Sequence, residues 1–299
     1  MSVFKSRYSQ IFFSVVLLLL TACSGRHGTV EITVVSTGDI HGRVYDTDYL
    51  TGNKRNGSMV QAASLVSQLR SQKKDLLYFD TGDIFIGTGE SYYDMTSDFG
   101  NPSLLAAMLD VMGCNGFVPG NHDFDLGIPT LDRFITSGEF PVVCANMVYD
   151  ANGECYFPPY TIIEKSGVKI AVIGFTTKSI NYKIPWELID GLTVTSVVES
   201  ANKWIPYIQE TEKPDLIFAL VHSGLTNGFD DGNVCENEVF DLAEQVGGID
   251  LILYGHDHEE YCQKVVGYEG DSILLVNPGC HAKNAAVTTL ELDFKKKEL

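Results

Sequence analysis

The sequence is short of positive charge. Its 299 residues include 21 lysines and arginines against 39 aspartates and glutamates, a formal net charge of −18. So acidic a chain repels polyphosphate wherever it lacks a local basic patch or bound cations, which excludes a nucleic-acid polymer held by a basic surface. A small anionic substrate would need help from metal ions. Disorder is excluded as the main state because 44% of the residues are hydrophobic, enough for a packed core.

The apolar run near the N-terminus is too short to span a membrane. Ile11–Leu20 has ten residues, whereas a bilayer core needs about 20. Lys5 and Arg7 precede the run as in a secretory signal, and Leu20–Cys23 resembles the bacterial lipoprotein box, whose cysteine is lipidated. We therefore expect residues 1–22 to be a signal peptide, and the exported chain to be lipid-anchored at Cys23 to the cell envelope, on its periplasmic or cell-surface face. The alternative is an ordinary secretory signal with an incidental cysteine.

Close cysteine pairs and repeats are also missing. None of the six cysteines after Cys23 pairs with another at the spacing of a zinc knuckle. An exported chain can form disulfides, and we favour Cys262 with Cys280, because both flank strands expected late in the chain. The sequence shows no internal repeat, low-complexity tract or linker. Residues 23–299 are therefore predicted to form a single domain.

Apolar runs alternate with amphipathic stretches along this domain. Short runs rich in β-branched or aromatic residues predict buried strands at Val30–Val35, Leu76–Phe79, Val142–Ala145, Ile170–Phe175, Leu216–Val221 and Leu251–Tyr254. Apolar residues at helical spacing predict helices at Met59–Leu69, Pro102–Met112, Val197–Ile208 and, more weakly, Glu238–Val246. The alternation favours an α/β sandwich. Strands without helices between them, and hence some antiparallel pairing, are predicted at Tyr160–Ile163, Lys264–Val266, Ile273–Val276 and Ala286–Leu292.

Polar motifs rich in aspartate and histidine follow the apolar runs. They are Gly38-Asp39-Ile40-His41, Gly82-Asp83, Gly120-Asn121-His122-Asp123, Val221-His222-Ser223-Gly224 and Gly255-His256-Asp257-His258. Because ligands bind at the carboxyl ends of strands in an α/β sheet, we expect these side chains to converge. A mixture of oxygen and nitrogen donors suits Zn, Mn, Fe or Mg, and five strand ends can hold two metal ions.

Each motif is weak evidence by itself. An Asp-x-His or a Gly-Asp after a strand is more often a turn or helix cap, and a lone histidine such as His222 is usually a hydrogen-bonded loop residue. The ordered set of five, however, resembles the calcineurin-like metallophosphoesterases from about Val30 to Phe294, and especially the metallophosphatase domain of bacterial 5′-nucleotidases and UDP-sugar hydrolases. This resemblance implies a four-layer α-β-β-α sandwich with mixed sheets. Asp123, where those proteins more often have glutamate, does not correspond to a family ligand.

The resemblance also implies two divalent metal ions, whose identity among Zn, Mn, Fe, Mg and Ca the sequence leaves open. One ion would be bound by Asp39, His41, Asp83 and His258, and the other by Asp83, Asn121, His222 and His256, with Asp83 as the bridge. A metal-bridging hydroxide would then attack phosphorus in line. His122 would stabilise charge on the phosphoryl or leaving oxygen while Asp125 orients its ring. The other interpretation of Asp125 is a turn aspartate before Gly127.

Two departures from related proteins narrow the expected activity. Ile86 stands where the purple acid phosphatases have a metal-binding tyrosine, so a tyrosinate–iron site is not expected. The nucleotidase C-terminal domain, which binds the base and the phosphates in two-domain relatives, is expected to be absent, and the substrate-binding residues stay unassigned. We expect a 5′-nucleotidase-like phosphomonoesterase.

Three alternatives to that activity remain open. Within the enzymes, they are a 2′,3′-cyclic nucleotide phosphodiesterase and a UDP-sugar pyrophosphatase. From a different class, the chain could be a metal-binding lipoprotein subunit that is inactive without a separately encoded partner carrying the nucleotide-binding domain.

Overall fold

The computed structural model describes residues 28–97, 103–230 and 235–294. The expected signal peptide over residues 1–22, the expected lipidation site Cys23 and the expected helix start Pro102 lie outside the described residues. Within the described ranges, no helix is both long enough and apolar enough to cross a membrane.

The elements alternate along the chain much as the hydrophobic pattern predicts. The strands are β1 (Thr29–Thr37), β2 (Leu76–Asp80), β3 (Cys114–Phe117), β4 (Met147–Tyr149), β5 (Tyr160–Lys165), β6 (Val168–Thr176), β7 (Leu192–Val194), β8 (Leu216–His222), β9 (Leu251–Tyr254), β10 (Glu260–Val266), β11 (Ser272–Pro278) and β12 (Ala286–Asp293). The helices are α1 (Met59–Gln72), α2 (Gly89–Thr96), α3 (Leu104–Val111), α4 (Ile128–Thr136), α5 (Ile180–Lys183), α6 (Val197–Thr211) and α7 (Val239–Gln245).

Two mixed sheets carry the fold. The first sheet has the order β12-β1-β2-β3, and the second has the order β10-β11-β9-β8-β6-β5. Strands β1, β2 and β3 are parallel, as are β6, β8, β9 and β11, whereas β12, β10 and β5 are antiparallel to their neighbours. The expected antiparallel additions are therefore confirmed. A small third sheet pairs β4 with β7.

Alternate residues of each central strand enter different cores, which gives the fold four layers. In β8, Leu216, Phe218 and Leu220 belong to the core between the two sheets, whereas Ile217, Ala219 and Val221 pack in the core with α6 and α7. The outer face of the first sheet packs on α1, α3 and α4 in a third core. Because successive strand residues point to opposite faces, a strand covered on both sides must be apolar throughout. The expected α-β-β-α arrangement is confirmed.

The two longest helices begin at serine caps. Ser58 accepts a hydrogen bond from the Gln61 backbone N–H at the start of α1, and Ser196 caps α6 in the same way through Glu199. A side-chain oxygen at this position satisfies one of the amide groups that the first helical turn leaves without a partner. Each cap stands directly before the first residue of the amphipathic pattern. Both helices therefore begin at the predicted residue, α1 at Met59 and α6 at Val197.

The predicted strand at Val142–Ala145 is wrong. Only Val142 forms an isolated bridge, to Phe117 of β3. Three residues later the chain has left the first sheet, because the Ala145 N–H bonds to the Gly174 carbonyl of β6 at 2.7 Å. The segment is buried because it crosses between the two sheets, and it pairs with neither for long. Three strands were not predicted: the short β4 and β7, and β3, whose Asn115-Gly116 interruption hides its apolar pattern.

The favoured Cys262–Cys280 disulfide is also wrong. All six cysteines of the described residues are free, and Cys262 is exposed on β10. The β10–β11 register places Cys262 opposite Val276, whereas Cys280 lies two residues beyond the end of β11. A disulfide needs Cα atoms within about 7 Å and Cβ atoms that face each other. Flanking the same pair of strands therefore did not bring the two thiols together.

Candidate metal centre

The sequence motifs meet at one end of the sandwich. Asp39 and His41 follow β1, Asp83 follows β2, Asn121 and His122 follow β3, His222 ends β8, and His256 and His258 follow β9. Five of these residues have backbone φ angles in the left-handed region: Asp39, His41, Asp83, His256 and His258. Such conformations are uncommon without glycine and concentrate at functional sites, where the surrounding structure holds them. The turns after the strands thus aim these side chains at a common point.

The first donor group consists of Asp39, His41 and His258. The Nε2 atoms of His41 and His258 are 2.9 Å apart, and they lie 4.0 Å and 3.5 Å from Asp39 Oδ1. His41 Nε2 is also 3.9 Å from Asp83 Oδ2. This group therefore draws one residue from the second sheet and two from the first, with Asp83 beside it.

The second donor group consists of Asp83, His222 and His256. His222 Nε2 lies 3.3 Å from Asp83 Oδ2, the same oxygen that faces His41. The rings of His222 and His256 are 5.2 Å apart. Asn121 lines the same cavity as Asp83 and His256. Asp83 is consequently placed between the two groups.

Three buried atoms at this centre have no hydrogen-bond partner within the described part of the chain. They are Asp39 Oδ1, Asn121 Oδ1 and His222 Nε2. Leaving a buried polar atom unpaired costs about 1–3 kcal/mol, so native proteins rarely keep three in one place without a ligand. Carboxylate, amide and imidazole donors in this number fit divalent Zn, Mn, Fe or Mg. The donor set therefore fits a pair of metal ions.

Backbone carbonyls fix the orientation of two candidate ligand rings. His41 Nδ1 lies 3.0 Å from the Ile86 carbonyl oxygen, and His222 Nδ1 lies 2.7 Å from that of Thr81. A carbonyl can only accept, so Nδ1 donates in both rings and the Nε2 lone pair is left for the cluster. Metal-binding histidines are commonly oriented through such a hydrogen bond from the second ring nitrogen.

Electrostatics at the centre favour a charged carboxylate. Burial raises the pKa of Asp83, but His222, followed by His41 and His122, outweighs burial and lowers it well below the usual range. Burial lowers the pKa of His222, but Asp83 outweighs it and raises the pKa to about 10. In His41, burial wins over the attraction of Asp83 and lowers the pKa. A divalent ion bound at His222 must displace the proton of Nε2, because only the neutral ring binds metal.

Asp123 supports the loop that carries Asp83. Its two carboxylate oxygens accept four backbone N–H groups, from Gly120, Asp83, Ile84 and Phe85, at 2.8–3.1 Å. It is fully buried. No role for Asp123 was predicted from the sequence, since a lone aspartate in a strand-end motif does not indicate which backbone groups it will contact. In the structure it ties the turn after β2 to the turn after β3, and so fixes the position of Asp83.

His122 and Asp125 form the expected pair at the edge of the centre. His122 Nδ1 lies 2.7 Å from Asp125 Oδ2, and the His122 ring is 5.5 Å from that of His41. The hydrogen bond with Asp125 raises the pKa of His122 against the opposing effect of burial. Both residues line a cavity of about 450 Å³ together with Asp83, Asn121, His256 and His258. Since Nδ1 is engaged by Asp125, Nε2 is the nitrogen left for a ligand in that cavity.

Sequence reasoning missed four residues around the centre. Glu236 and Lys183 line the cavity. His281 places its ring 5.7 Å from His41 and 5.9 Å from His258. Asp257, between the two histidines of the last motif, accepts from the Leu225 N–H and from Asn277 Nδ2. Only Asp257 had a signal in the sequence, its place inside a recognised motif; the others are brought in by tertiary packing.

Comparison with known proteins agrees with this geometry. The sequence profile of the calcineurin-like phosphoesterases matches residues 32–260. This chain belongs to that family. Calcineurin-like phosphoesterases are hydrolases that use divalent metal ions, and the two donor groups give this member two candidate sites.

Individual relatives show how much of this phosphoesterase the likeness covers. The 5′-nucleotidase of Vibrio vulnificus is 32% identical over 79% of the chain and 42% of its own length. The 2′,3′-cyclic-nucleotide 2′-phosphodiesterase/3′-nucleotidase of Yersinia enterocolitica is 28% identical over 83% of the chain and 39% of its own length. The crystal structure of the phosphoesterase YfkN from Bacillus subtilis superposes with a TM-score of 0.77 at 28% identity, covering 89% of this chain and 86% of that one. The chain spans less than half the length of these curated relatives.

Proposed function

We propose that this chain hydrolyses phosphoric esters at a dinuclear metal centre, with 5′-nucleotidase-like phosphomonoesterase activity. The observation that carries the proposal is the pair of neighbouring donor groups, with Asp83 Oδ2 facing both His222 and His41 and with three unpartnered buried atoms at the same centre. Asp39, His41, Asp83 and His258 would bind one metal ion, and Asp83, Asn121, His222 and His256 the other. At such a pair of sites, divalent ions supply Lewis-acid polarisation of the phosphoryl oxygens and an activated water.

The chain's own residues complete the reaction in three ways. Asp83 holds the two sites together and accepts the His122 backbone N–H at 2.7 Å, so that the turn carrying His122 is tied to the centre. His122, kept protonated more readily by Asp125, would donate from Nε2 to the charge that develops on the phosphoryl or leaving oxygen. Asp125 orients the ring. A positioned acid of this kind accelerates a reaction by roughly 10²–10⁴-fold.

Nucleotides are the favoured substrate class because relatives with those names match most of the chain. The experiment is to compare phosphate release from AMP, 2′,3′-cyclic AMP and UDP-glucose by the purified exported chain loaded with Mn or Zn. Fastest release from AMP supports the proposal. Preference for the cyclic substrate would replace the proposal with phosphodiesterase activity, which the relative from Yersinia enterocolitica supports. Preference for UDP-glucose would replace it with pyrophosphatase activity.

The alternative of an inactive metal-binding subunit is tested in the same assay. If AMP, cyclic AMP and UDP-glucose all remain intact with metals saturated, and turnover appears only when a nucleotidase C-terminal domain is added as a second polypeptide, the stand-alone enzyme is refuted. The support for a stand-alone site is that both donor groups lie within the described residues, and that Asn121 and the His122–Asp125 pair line a cavity with Asp83, His256 and His258.

We further propose that the chain is exported and anchored to the cell envelope by a lipid on Cys23. The support is the sequence of residues 1–23, with its basic start, ten-residue apolar run and lipoprotein-like box. Metabolic labelling with a radioactive fatty acid should label the wild-type protein. Labelling that persists in Cys23→Ala, or export without any label on the wild type, would contradict the anchor.

A further inference from the structure

Glu236 occupies a position in the catalytic cavity that the proposed function does not use. Its side chain is 9% exposed, and its Oε1 lies 2.8 Å from His256 Nε2. The same oxygen accepts a hydrogen bond from Lys183 Nζ, and Oε2 accepts the Phe229 N–H at 2.9 Å. The hydrogen bonds with His256 and Lys183 lower the pKa of Glu236 well below its usual range. One carboxylate thus joins a proposed metal ligand to a cation of the cavity.

The contact determines which nitrogen of His256 is free. A carboxylate only accepts, so His256 Nε2 must carry the hydrogen that points to Glu236. The lone pair then resides on Nδ1. His222, in the same donor group, is held in the opposite way, because its Nδ1 is engaged by the Thr81 carbonyl. Without Glu236, nothing among the described contacts of His256 would select one tautomer, since its backbone N–H bonds to Asp39 Oδ2 and leaves the ring unconstrained.

The backbone of Glu236 is anchored independently of its side chain. Its carbonyl oxygen accepts from Thr177 Oγ1 and from Ser223 Oγ, each at 2.9 Å. Thr177 also accepts the Ser179 N–H near the start of α5, which ends at Lys183. The segments that carry Glu236 and Lys183 are therefore joined to each other. This rigidity suits a carboxylate that must orient a ring.

Lys183 gives the cavity its positive charge. Among the described residues that line the cavity, it is the only lysine or arginine, beside the acidic Asp83, Asp125, Glu236 and Asp257. Its side chain is 48% exposed, so the ammonium group is accessible from solvent. An anionic substrate enters past acidic groups here, and a fixed ammonium at the wall lowers the repulsion that these groups exert.

We propose that Glu236 is a positioning residue with two tasks: it holds His256 in the Nε2–H tautomer, with Nδ1 free for a metal ion, and it holds Lys183 where it receives the anionic part of the substrate. The proposal rests on the proposed dinuclear centre. It adds a carboxylate that touches neither metal nor substrate, and a substrate-binding cation supplied from within this domain.

The first test measures metal affinity by titrating the metal-free exported protein with Mn²⁺ in a calorimeter. Glu236→Ala should weaken one of two binding sites by about 10–100-fold and leave the other unchanged. Glu238→Ala is the matched control, because Glu238 lies two residues away, is similarly buried, and its side chain accepts from Ser196 Oγ and the Val197 N–H outside the cavity. Glu236→Gln keeps an oxygen that can accept from His256 and should retain both sites within a few-fold. Equal affinities in Glu236→Ala and Glu238→Ala would overturn the first task.

A second measurement covers the case in which Glu236→Ala does not fold. Long-range ¹⁵N NMR of the wild-type protein reports the tautomer of each histidine, and the His256 signal is assigned by its loss in His256→Asn. The Nε2–H tautomer supports the proposal. The Nδ1–H tautomer would overturn it, with no variant of Glu236 involved.

The third measurement addresses Lys183. Lys183→Met should weaken the binding of inorganic phosphate to the Mn²⁺-loaded protein by about 10-fold, the worth of a charge-assisted hydrogen bond, and leave Mn²⁺ affinity unchanged. Lys169→Met removes the same charge at a lysine that pairs with Glu212 away from the cavity. Equal phosphate affinity in the two variants would overturn the second task.

These outcomes are separable from failure of the proposed function. If the wild-type protein binds fewer than two Mn²⁺ ions, the dinuclear centre fails before Glu236 is tested. If the wild type binds two ions and the Glu236 and Glu238 variants behave alike, only the role of Glu236 fails.

Discussion

The two sheets contribute different chemistry to the same centre. Every oxygen donor comes from the turns of the first sheet, in Asp39, Asp83 and Asn121, whereas the second sheet contributes only imidazoles, in His222, His256 and His258. Each donor group takes members from both sheets. Neither sheet alone could bind two metal ions, so the centre is a property of the interface between them.

The oxygen donors of the first sheet are all deeply buried. Asp39, Asp83 and Asn121 are no more than 5% exposed and form the floor, whereas the second sheet supplies both the fully buried His222 and the rim residue His258, whose side chain is 42% exposed. Buried carboxylates without counter-charge are costly, so the floor is the part that most needs cations. A substrate therefore meets His258 at the rim before it reaches the charged floor. Four predictions test this division between the sheets, from the largest expected effect to the smallest.

Asp83→Asn should abolish hydrolysis and reduce the metal content. The substitution keeps an oxygen that can accept the His122 N–H but removes the charge that lies between the two donor groups. Elemental analysis of the purified variant and phosphate release from AMP are the measurements. Full activity without Asp83 would refute the assignment of the first sheet as the source of the bridging oxygen.

His122→Asn should keep both metal ions and slow turnover by about 10²-fold or more, because it removes a proton donor and no ligand. His122 lies in the same turn as Asn121. The variant therefore tests the proposed proton donor while leaving the neighbouring proposed metal ligand in place. Turnover is measured with the metal content determined on the same sample. Loss of metal in this variant would show that His122 belongs to the ligand set instead.

Binding of divalent ions should stabilise the fold by joining the two sheets. At 100 times the dissociation constant, one bound ion adds about 2.7 kcal/mol to the free energy of unfolding. For a domain of this size that corresponds to a rise in Tm of roughly 5 °C or more. Thermal unfolding with EDTA and with Mn²⁺ is the comparison, and an unchanged Tm would mean that the donor groups do not bind metal in the folded state.

A cavity between the sheets should disturb the centre more than one behind the second sheet. Leu77→Ala empties part of the core between the sheets, and Leu242→Ala empties part of the core beside α7; both leucines are fully buried. Each should lower the free energy of unfolding by about 2–5 kcal/mol. Only Leu77→Ala should weaken Mn²⁺ binding, by several-fold. If calorimetry shows equal affinities, the spacing of the sheets does not control the centre.

Much of the fold could be read from the sequence because its strands and helices have strong, separate periodicities. β8 and β9 are continuous apolar runs and were predicted within a residue or two of their ends. The failures came where pairing depends on distant partners. Val142–Ala145 looks like a strand but crosses between sheets, and β3 looks irregular but is held by β2.

The α/β class could be predicted from the alternating periodicities, and the convergence of the motifs from their places at strand ends. The family and the seven proposed metal ligands came from the resemblance of the ordered motifs to the calcineurin-like phosphoesterases. What surrounds these residues depends on the tertiary structure. The side-chain contacts of Asp123 with Asp83, of Glu236 with His256 and of Lys183 with Glu236 join residues 40, 20 and 53 positions apart in the chain. No local pattern encodes such contacts, because they depend on how the two sheets and their turns pack against each other.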